Sequence, residues 1–380
     1  MIPYSRQSID TQDKKSVLKV LNSNFLTQGP KVEEFEKKIN KFSGSKYAVA
    51  ANSGSSALHI ACLALDIKKG DLVWTVPNTF VASANCAINC GAKIDLVDID
   101  KDTFNISIES LEKKLIEAKK RKNIPKVLIP VHLGGQPTQQ RKIWRLSKKY
   151  GFKILEDASH SIGAKHHGIK VGSCKWSHIT VFSFHPVKII TTAEGGVATT
   201  NSKSLEKKMR IFRDNGILRS LKNWRYKQIA PGFNYRMNDI SAAIGISQLK
   251  KIKKFLKRRN EIAKFYKKLL KDLPIKVQKI LPENYSSYHL FIIQLDLNHF
   301  KFSYNKIFKL LRKKKYYVNL HYMPIHLSPY FKKIGFRKGQ YPVSEKYGKT
   351  ALSIPIYFGL RLNEIKKFIK VLKGTIENKK

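Results

Sequence analysis

No uncharged apolar run in this 380-residue chain approaches the ~18 residues that a membrane-spanning helix needs, which excludes an integral helical membrane protein. The opening residues, MIPYSRQSIDTQDKKSV, hold no apolar stretch of the kind a secretory leader carries, so a soluble, cytoplasmic protein is expected. Cysteine is scarce. Cys62, Cys86, Cys90 and Cys174 lie in or beside apolar segments, without the density of a disulfide scaffold or the paired spacing of a metal site. They read as reduced packing residues, and no metal is expected. Low-complexity tracts, internal repeats and long linkers are missing as well. Acidic residues are few: 27 Asp and Glu stand against 73 Lys and Arg, a formal net charge of +46. Such an excess first suggests a nucleic-acid or anionic-surface partner. Its distribution argues otherwise, because lysines are spread over every predicted helix surface (KKSVLKVLNS, LEKKLIEAKKRKN, KKIKKFLKRRN, IFKLLRKKKYY), with no basic arm, finger or aromatic-basic RNA signature. A general lysine bias accounts for the charge, and neither nucleic acid nor membrane is expected as a partner. The positive field would still draw in a phosphorylated substrate.

What is present is ample apolar material, 42% of residues, enough for a large domain and a smaller one. Short β-like runs alternate with amphipathic helices through the first two thirds: 46–52, 72–77, 93–99, 126–132, 152–158, 178–184 and 196–200, with helices at 55–65 and 138–149 among them. That alternation predicts an α/β fold, a mainly parallel sheet between helices. From about Asn238 the pattern changes to a long lysine-rich helix, a strand at 288–296, a helix at 304–314, a β-like YYVNLHY at 316–322 and a final helix at 362–374. The expected division is 1–240 for the large domain, with an N-terminal segment at its substrate pocket, and 241–380 for a smaller α+β domain.

Three segments suggest chemistry. In ANSGSSALHIACLAL (51–65) a strand ends, Gly54 permits a turn, and Ser55 and Ser56 open a helix. Free N–H groups, hydroxyls and the helix dipole suit a phosphate there, and ordinary serine capping would give the same pattern. In KILEDASHSIGA (153–164) an apolar strand ends in Glu156 and Asp157. A carboxylate at that edge of a parallel strand lies where α/β folds bind ligands, with a helix cap as the alternative. In FSFHPVKIITTAEGG (182–196) Lys188 follows another strand. A Schiff-base lysine, an acid for a pyridinium nitrogen and a phosphate cradle are together what pyridoxal 5′-phosphate requires.

These segments, with FLTQGPKVEEFE (25–36), VPNTFVASAN (76–85), PVHLGGQP (130–137), GFNYRMNDISAAIG (232–245) and NLHYMPIHLSPYF (319–331), resemble the sugar aminotransferases of the DegT/DnrJ/EryC1/StrS family over nearly the whole chain. The resemblance implies the fold type I architecture of aspartate aminotransferase, a pyridoxal phosphate cofactor and a homodimer with shared active sites. It implies Lys188 as the covalent anchor of the cofactor and Asp157 as the partner of its ring nitrogen. Ser55, Ser56 and Ser183 match phosphate-binding positions, Phe80 the aromatic that stacks on the ring, His160 the position near the phenolic oxygen, and Asn234 a residue lent to the partner subunit's phosphate site. His185 matches a place where it would touch substrate or orient the lysine loop, and orientation is favoured. Arg236 would hold a substrate carboxylate or form a structural fork at the interface. Thr27, Gln28, His321, Tyr322 and His326 lie in segments that border the sugar-nucleotide pocket, although any one of those histidines could be a packing residue. Lysine at 188, where family dehydratases have histidine, implies amino transfer. Within the family, MIPYSRQ, SNFLTQGP and HYMPIHL resemble most the members that use L-glutamate to aminate C4 of a UDP-linked 4-keto-4,6-dideoxy-N-acetylhexosamine for pseudaminic acid. The alternatives are another nucleotide-linked 4-keto sugar, or a non-catalytic member of the fold, against which Lys188 and Asp157 argue.

Overall fold

The seven apolar runs form one sheet because both faces of it are buried. In the computed structural model, which describes residues 1–220 and 223–376, they are β1 (Tyr47–Ala51), β2 (Leu72–Thr75), β3 (Lys93–Leu96), β4 (Val127–Leu128), β5 (Lys153–Asp157), β6 (Ile179–Ser183) and β7 (Gly196–Thr200). Their spatial order is β1-β7-β6-β5-β4-β2-β3. All neighbouring pairs are parallel except those made by β7, which runs antiparallel to both β1 and β6. Alternate residues enter different cores, as the period-2 pleat requires. Val49, Ala51, Val181 and Ala198 pack with helix α1 (Gly54–Ala64), whereas Ala48, Ala50, Phe182 and Val197 pack with Phe35, Phe255 and their neighbours. This is the architecture of a fold type I enzyme: a mainly parallel sheet between helices.

Two expected strands are shorter than the apolar runs that suggested them. Of 126–132 only Val127–Leu128 forms a continuous strand, because Pro130 has no N–H and interrupts the ladder; its carbonyl accepts from Asp157 N at 3.0 Å and pairing resumes as a bridge between Val131 and Asp157. Of 316–322 only Tyr316–Tyr317 forms a strand, parallel to Ile2–Pro3, and Asn319 adds a single antiparallel bridge to Ser353.

Helices α2 (Ala82–Ile88) and α3 (Gln140–Tyr150) follow sheet strands. The long helix α4 (Asp239–Leu270) starts at an Asn238 cap that accepts from Ser241 N. Its first half packs through Ala242, Ile246 and Phe255 on the central sheet, and its second half through Ile262, Tyr266 and Leu270 in a separate apolar cluster with Phe291, Leu352 and Phe368. We infer that this second cluster is the core of a smaller C-terminal lobe. No helix among the described residues is long and apolar enough to cross a membrane.

Arg259, on α4, ties this helix to the backbone beside the second cluster. It is fully buried without a carboxylate partner among the described residues, and burial draws its guanidinium down to about 10. Its Nη1 donates to the carbonyls of Tyr288 (3.0 Å), His289 (3.1 Å) and Ile356 (3.0 Å). Each carbonyl stranded in the core costs ~1–3 kcal/mol. Arg259→Met is therefore expected to lower the unfolding free energy by about 3 kcal/mol or more, measured by urea denaturation; a loss below ~1 kcal/mol would show that the carbonyls find other partners.

Candidate active site

Ligand chemistry in such a sheet belongs at the carboxyl ends of its parallel strands, and there β1, β2, β5 and β6 deliver the residues of one cavity of about 570 Å³. β1 leads through Ser53 into α1. The Ser53 hydroxyl accepts from Ser56 N at 3.0 Å and meets Ser56 Oγ at 2.9 Å, so Ser56 is turned into the cap and does not line the cavity. Gly54 and Ser55 do line it, and as first-turn residues their N–H groups have no carbonyl to reach within the helix. Ser183, the last residue of β6, stands opposite. A Cβ at Gly54 would lie 2.9 Å from Ser183 Cβ, and one at Gly196 would lie 2.4 Å from Ser53 O. The glycines thus keep open a small pit of hydroxyls and N–H groups at the positive end of a helix, which fits a phosphate.

β5 ends in the two acids, and the pleat separates them. Glu156 points away from the cavity into the core, where Gln140, Thr180 Oγ1 (2.7 Å) and His132 (3.8 Å) surround it. Burial alone would raise its pKa, but these partners hold it below the ordinary carboxylate value. Asp157 faces the cavity: Oδ1 accepts from Ser159 N at 3.1 Å, and Oδ2 from Ser83 Oγ at 2.6 Å.

Lys188 sits in the loop that joins β6 to β7. Phe184 O closes the neck of the loop by accepting from Thr192 N (3.0 Å) and Thr191 Oγ1 (2.9 Å), while Ser5 Oγ donates to Val187 O at 2.8 Å. The lysine amine is buried in the cavity wall. Desolvation lowers it to about 8, with the Asp157 charge pulling the other way. The amine is therefore neutral in a larger fraction near pH 7 than a solvated lysine, although the protonated form still dominates.

Around this pair stand His160, His289, His321 and Tyr322. His160 Nδ1 lies 3.4 Å from Gly134 N, so Nε2 is left to donate to Tyr322 Oη at 3.1 Å. His160 stacks on His289 with centroids 4.5 Å apart. His321 Nδ1 lies 2.8 Å from Ser353 Oγ, and Tyr347 Oη donates to His321 O. The peptide between His321 and Tyr322 is cis. Burial and the nearby Lys188 charge push His160 and His289 well below the ordinary histidine value, and His321 to about 3. All three are neutral imidazoles at pH 7. Phe80 is 55% exposed on the rim, its ring 5.8 Å from that of Tyr322, and it offers a flat face to an aromatic ligand. His185 also lines the cavity, half exposed, with Nε2 3.9 Å from Glu194 Oε1.

Other expected residues lie elsewhere in the chain. His326 is fully buried between Glu345, whose Oε1 is 3.1 Å from its Nε2, and the Tyr341 ring; it is a packing histidine outside the cavity. Gln28 and Arg236 line a separate pocket of about 400 Å³ with Arg210, Arg213 and Glu36, and Arg236 lies 3.6 Å from Asp214. Thr27 is exposed and bridges Asn238, and Asn234 bridges Asp214. Ser53, Ser83, Thr79, Ser159 and His289 were missed by sequence reasoning. Small hydroxyl residues and a lone histidine give no periodic signal; only the i, i+4 spacing of Thr79 and Ser83 hinted at a local pair. One trio of possible metal ligands exists among the described residues, His166, His167 and Glu283. The His166 ring already engages Asn284 Oδ1 (2.7 Å) and Arg141 N (3.4 Å), which leaves it no free lone pair.

A buried amine of lowered pKa, a fixed carboxylate, a phosphate pit and an aromatic face at the ends of a mainly parallel sheet define a pyridoxal phosphate enzyme of the aminotransferase class. The family's sequence profile matches residues 7–373, and the chain belongs to the DegT/DnrJ/EryC1/StrS aminotransferase family. It is a pyridoxal phosphate-dependent sugar aminotransferase. It is 38% identical over 371 residues, 97% of this chain and 96% of the relative, to the UDP-4-amino-4,6-dideoxy-N-acetyl-beta-L-altrosamine transaminase of Campylobacter jejuni. Among solved structures it superposes on Helicobacter pylori PseC, an aminotransferase of pseudaminic acid biosynthesis, with a TM-score of 0.91, 31% identity and 99% of both chains covered. The PLP form of a putative sugar aminotransferase from Streptococcus pneumoniae gives a TM-score of 0.88 at 27% identity, covering 99% of this chain and 100% of that one.

The lysine environment gives a signed prediction. The rate at which the apo-protein captures pyridoxal phosphate, followed by absorbance, should rise with pH about a midpoint near 8. Because the Asp157 charge raises that value, Asp157→Asn should move the midpoint downward; an upward shift would refute the coupling.

Proposed function

We propose that this aminotransferase moves an amino group from L-glutamate to C4 of a UDP-linked 4-keto-4,6-dideoxy-N-acetylhexosamine. The sugar is UDP-2-acetamido-2,6-dideoxy-β-L-arabino-hex-4-ulose, and the product is UDP-4-amino-4,6-dideoxy-N-acetyl-β-L-altrosamine, a precursor of pseudaminic acid. The observation that carries this reading is full-length similarity to a transaminase named for that product, in a chain whose Lys188 and Asp157 face one cavity. When bound, pyridoxal phosphate supplies a carrier for the amino group and an electron sink that acidifies the carbon next to it.

The chain's own residues do the rest. Lys188 is the cofactor's anchor, and its Nζ, when free, takes the proton from Cα of glutamate in the first half-reaction. In the second half-reaction the same nitrogen delivers a proton to C4 of the sugar, which sets the face on which the new C–H bond forms. Asp157, its carboxylate oriented by its two donors, would pair with the ring nitrogen. Ser55, Ser183 and the first N–H groups of α1 hold the phosphate, with Ser56 bracing Ser53 in the cap behind them. Phe80 stacks on the ring. His160 and Tyr322 form one wall, and their neutral hydrogen-bonded pair excludes a competing charge from the site. His321 stands beside Tyr322 at the sugar side, and His185 with Glu194 borders the entrance.

Gln28, Asn234 and Arg236 lie outside the Lys188 cavity of their own chain, and we assign them, with Thr27, to the site of a second copy in a homodimer.

Lys188→Ala should abolish turnover, a loss beyond the ~10²–10⁴-fold of a single acid–base group, while the protein still holds pyridoxamine phosphate. Residual activity above a trace would remove Lys188 from its role. The substrate is tested by mass spectrometry with L-glutamate and two UDP-4-keto-6-deoxy-N-acetylhexosamines, the L-arabino and the D-xylo isomer. Amination of the L-arabino sugar is expected; amination of the D-xylo sugar alone would keep the mechanism and replace the substrate.

A further inference from the structure

The turn that carries Phe80 also reaches the far side of Asp157. Thr79 and Ser83 flank Phe80 at i and i+4 about the start of α2, and their hydroxyl oxygens are 2.7 Å apart. Ser83 Oγ is in turn 2.6 Å from Asp157 Oδ2. All three side chains are buried: Thr79 is 1% exposed, Ser83 0% and Asp157 5%.

Proton counting fixes the direction of this chain. An ionised carboxylate only accepts, so the single Ser83 proton goes to Asp157. The Ser83 oxygen must then accept, and the contact to Thr79 is a Thr79 O–H donation. With Ser159 N on the other carboxylate oxygen at 3.1 Å, both oxygens of Asp157 are bonded from within the protein and the carboxylate plane cannot turn. Thr79 itself lines the cavity, so the relay runs from the cavity wall to the back of the acid.

We propose that Thr79 and Ser83 are positioning residues, a directed two-hydroxyl relay that fixes the Asp157 carboxylate for its contact with the cofactor's ring nitrogen. This rests on the assignment of Asp157 given above. The relay also ties that contact to the stacking ring, since Phe80 lies between the two hydroxyl residues. Ring stacking and ring-nitrogen pairing are then set by one turn of chain.

The test compares Thr79→Val, which is isosteric and lacks the hydroxyl, with Thr79→Ser, which restores it, and with Ser83→Ala. Thermal unfolding of each apo-protein checks folding. Two readouts are taken on the pyridoxal phosphate-loaded protein: the dissociation constant of the cofactor and the pH midpoint of its visible absorbance. Ser83→Ala should weaken binding on the order of tenfold or more, the scale of one hydrogen bond to a charged group, and Thr79→Val by roughly three- to tenfold, the scale of a neutral one. Both should move the absorbance midpoint upward, because a less positive ring nitrogen no longer suppresses protonation elsewhere on the chromophore. Thr79→Ser should stay within twofold of the wild type in both. A folded Thr79→Val protein with unchanged affinity and midpoint would overturn the relay while leaving the function intact. A wild-type chain that takes up no pyridoxal phosphate would overturn the site assignment and the relay together.

Discussion

Burying an amine in a protein wall beside one carboxylate is the constraint around which this molecule is arranged. Water is removed from Lys188, which weakens its hold on a proton, and Asp157 is near enough to pull part of that proton affinity back. Neither group would behave this way on a surface that carries so many other lysines. The surroundings accept the cost by staying uncharged. His160, His289 and His321 are all kept neutral by burial and by the lysine itself, so no imidazolium among them competes with Lys188 in the inner wall of the cavity.

The sheet supplies the geometry. Because side chains alternate along a strand, adjacent acids on β5 end on opposite faces, and Glu156 becomes a core acceptor while Asp157 faces the ligand cavity. The inverted strand β7 lets the chain return along β6, and the loop between them holds Lys188 within reach of β5. Gly54 lets α1 approach Ser183 at the end of β6, and Gly196 lets β7 approach Ser53, closely enough to form the pit of hydroxyls and N–H groups. Further out, Arg259 braces the carbonyls of Tyr288, His289 and Ile356, and so couples the helix that spans both apolar clusters to a wall of the site.

Much of this was legible in the residues. Strand-like runs at 46–52, 152–158 and 178–184, the serine-opened helix after Gly54, and the pair Asp157 and Lys188 could be read from pattern and position, and the family resemblance rests on the same segments. Pro130 marks where the ladder of one run is interrupted, a signal that apolar content outweighed. His326 could not be separated from His321 on the same short segment, although one is packed against Glu345 and the other lines the cavity.

By itself the sequence determined the layered α/β character, through period-2 and period-3.6 apolar patterns, and the chemistry, through a lysine, an acid and a serine-rich turn in a specific order. Tertiary structure decided which hydroxyls and histidines surround that chemistry. Thr79, Ser83 and His289 belong to segments far from Lys188 along the chain, and nothing local assigns them to the site. Their roles arise only when strand ends converge and exclude water, since it is burial that makes a 2.6 Å hydroxyl contact hold a carboxylate in place and makes an ordinary amine reactive near neutral pH.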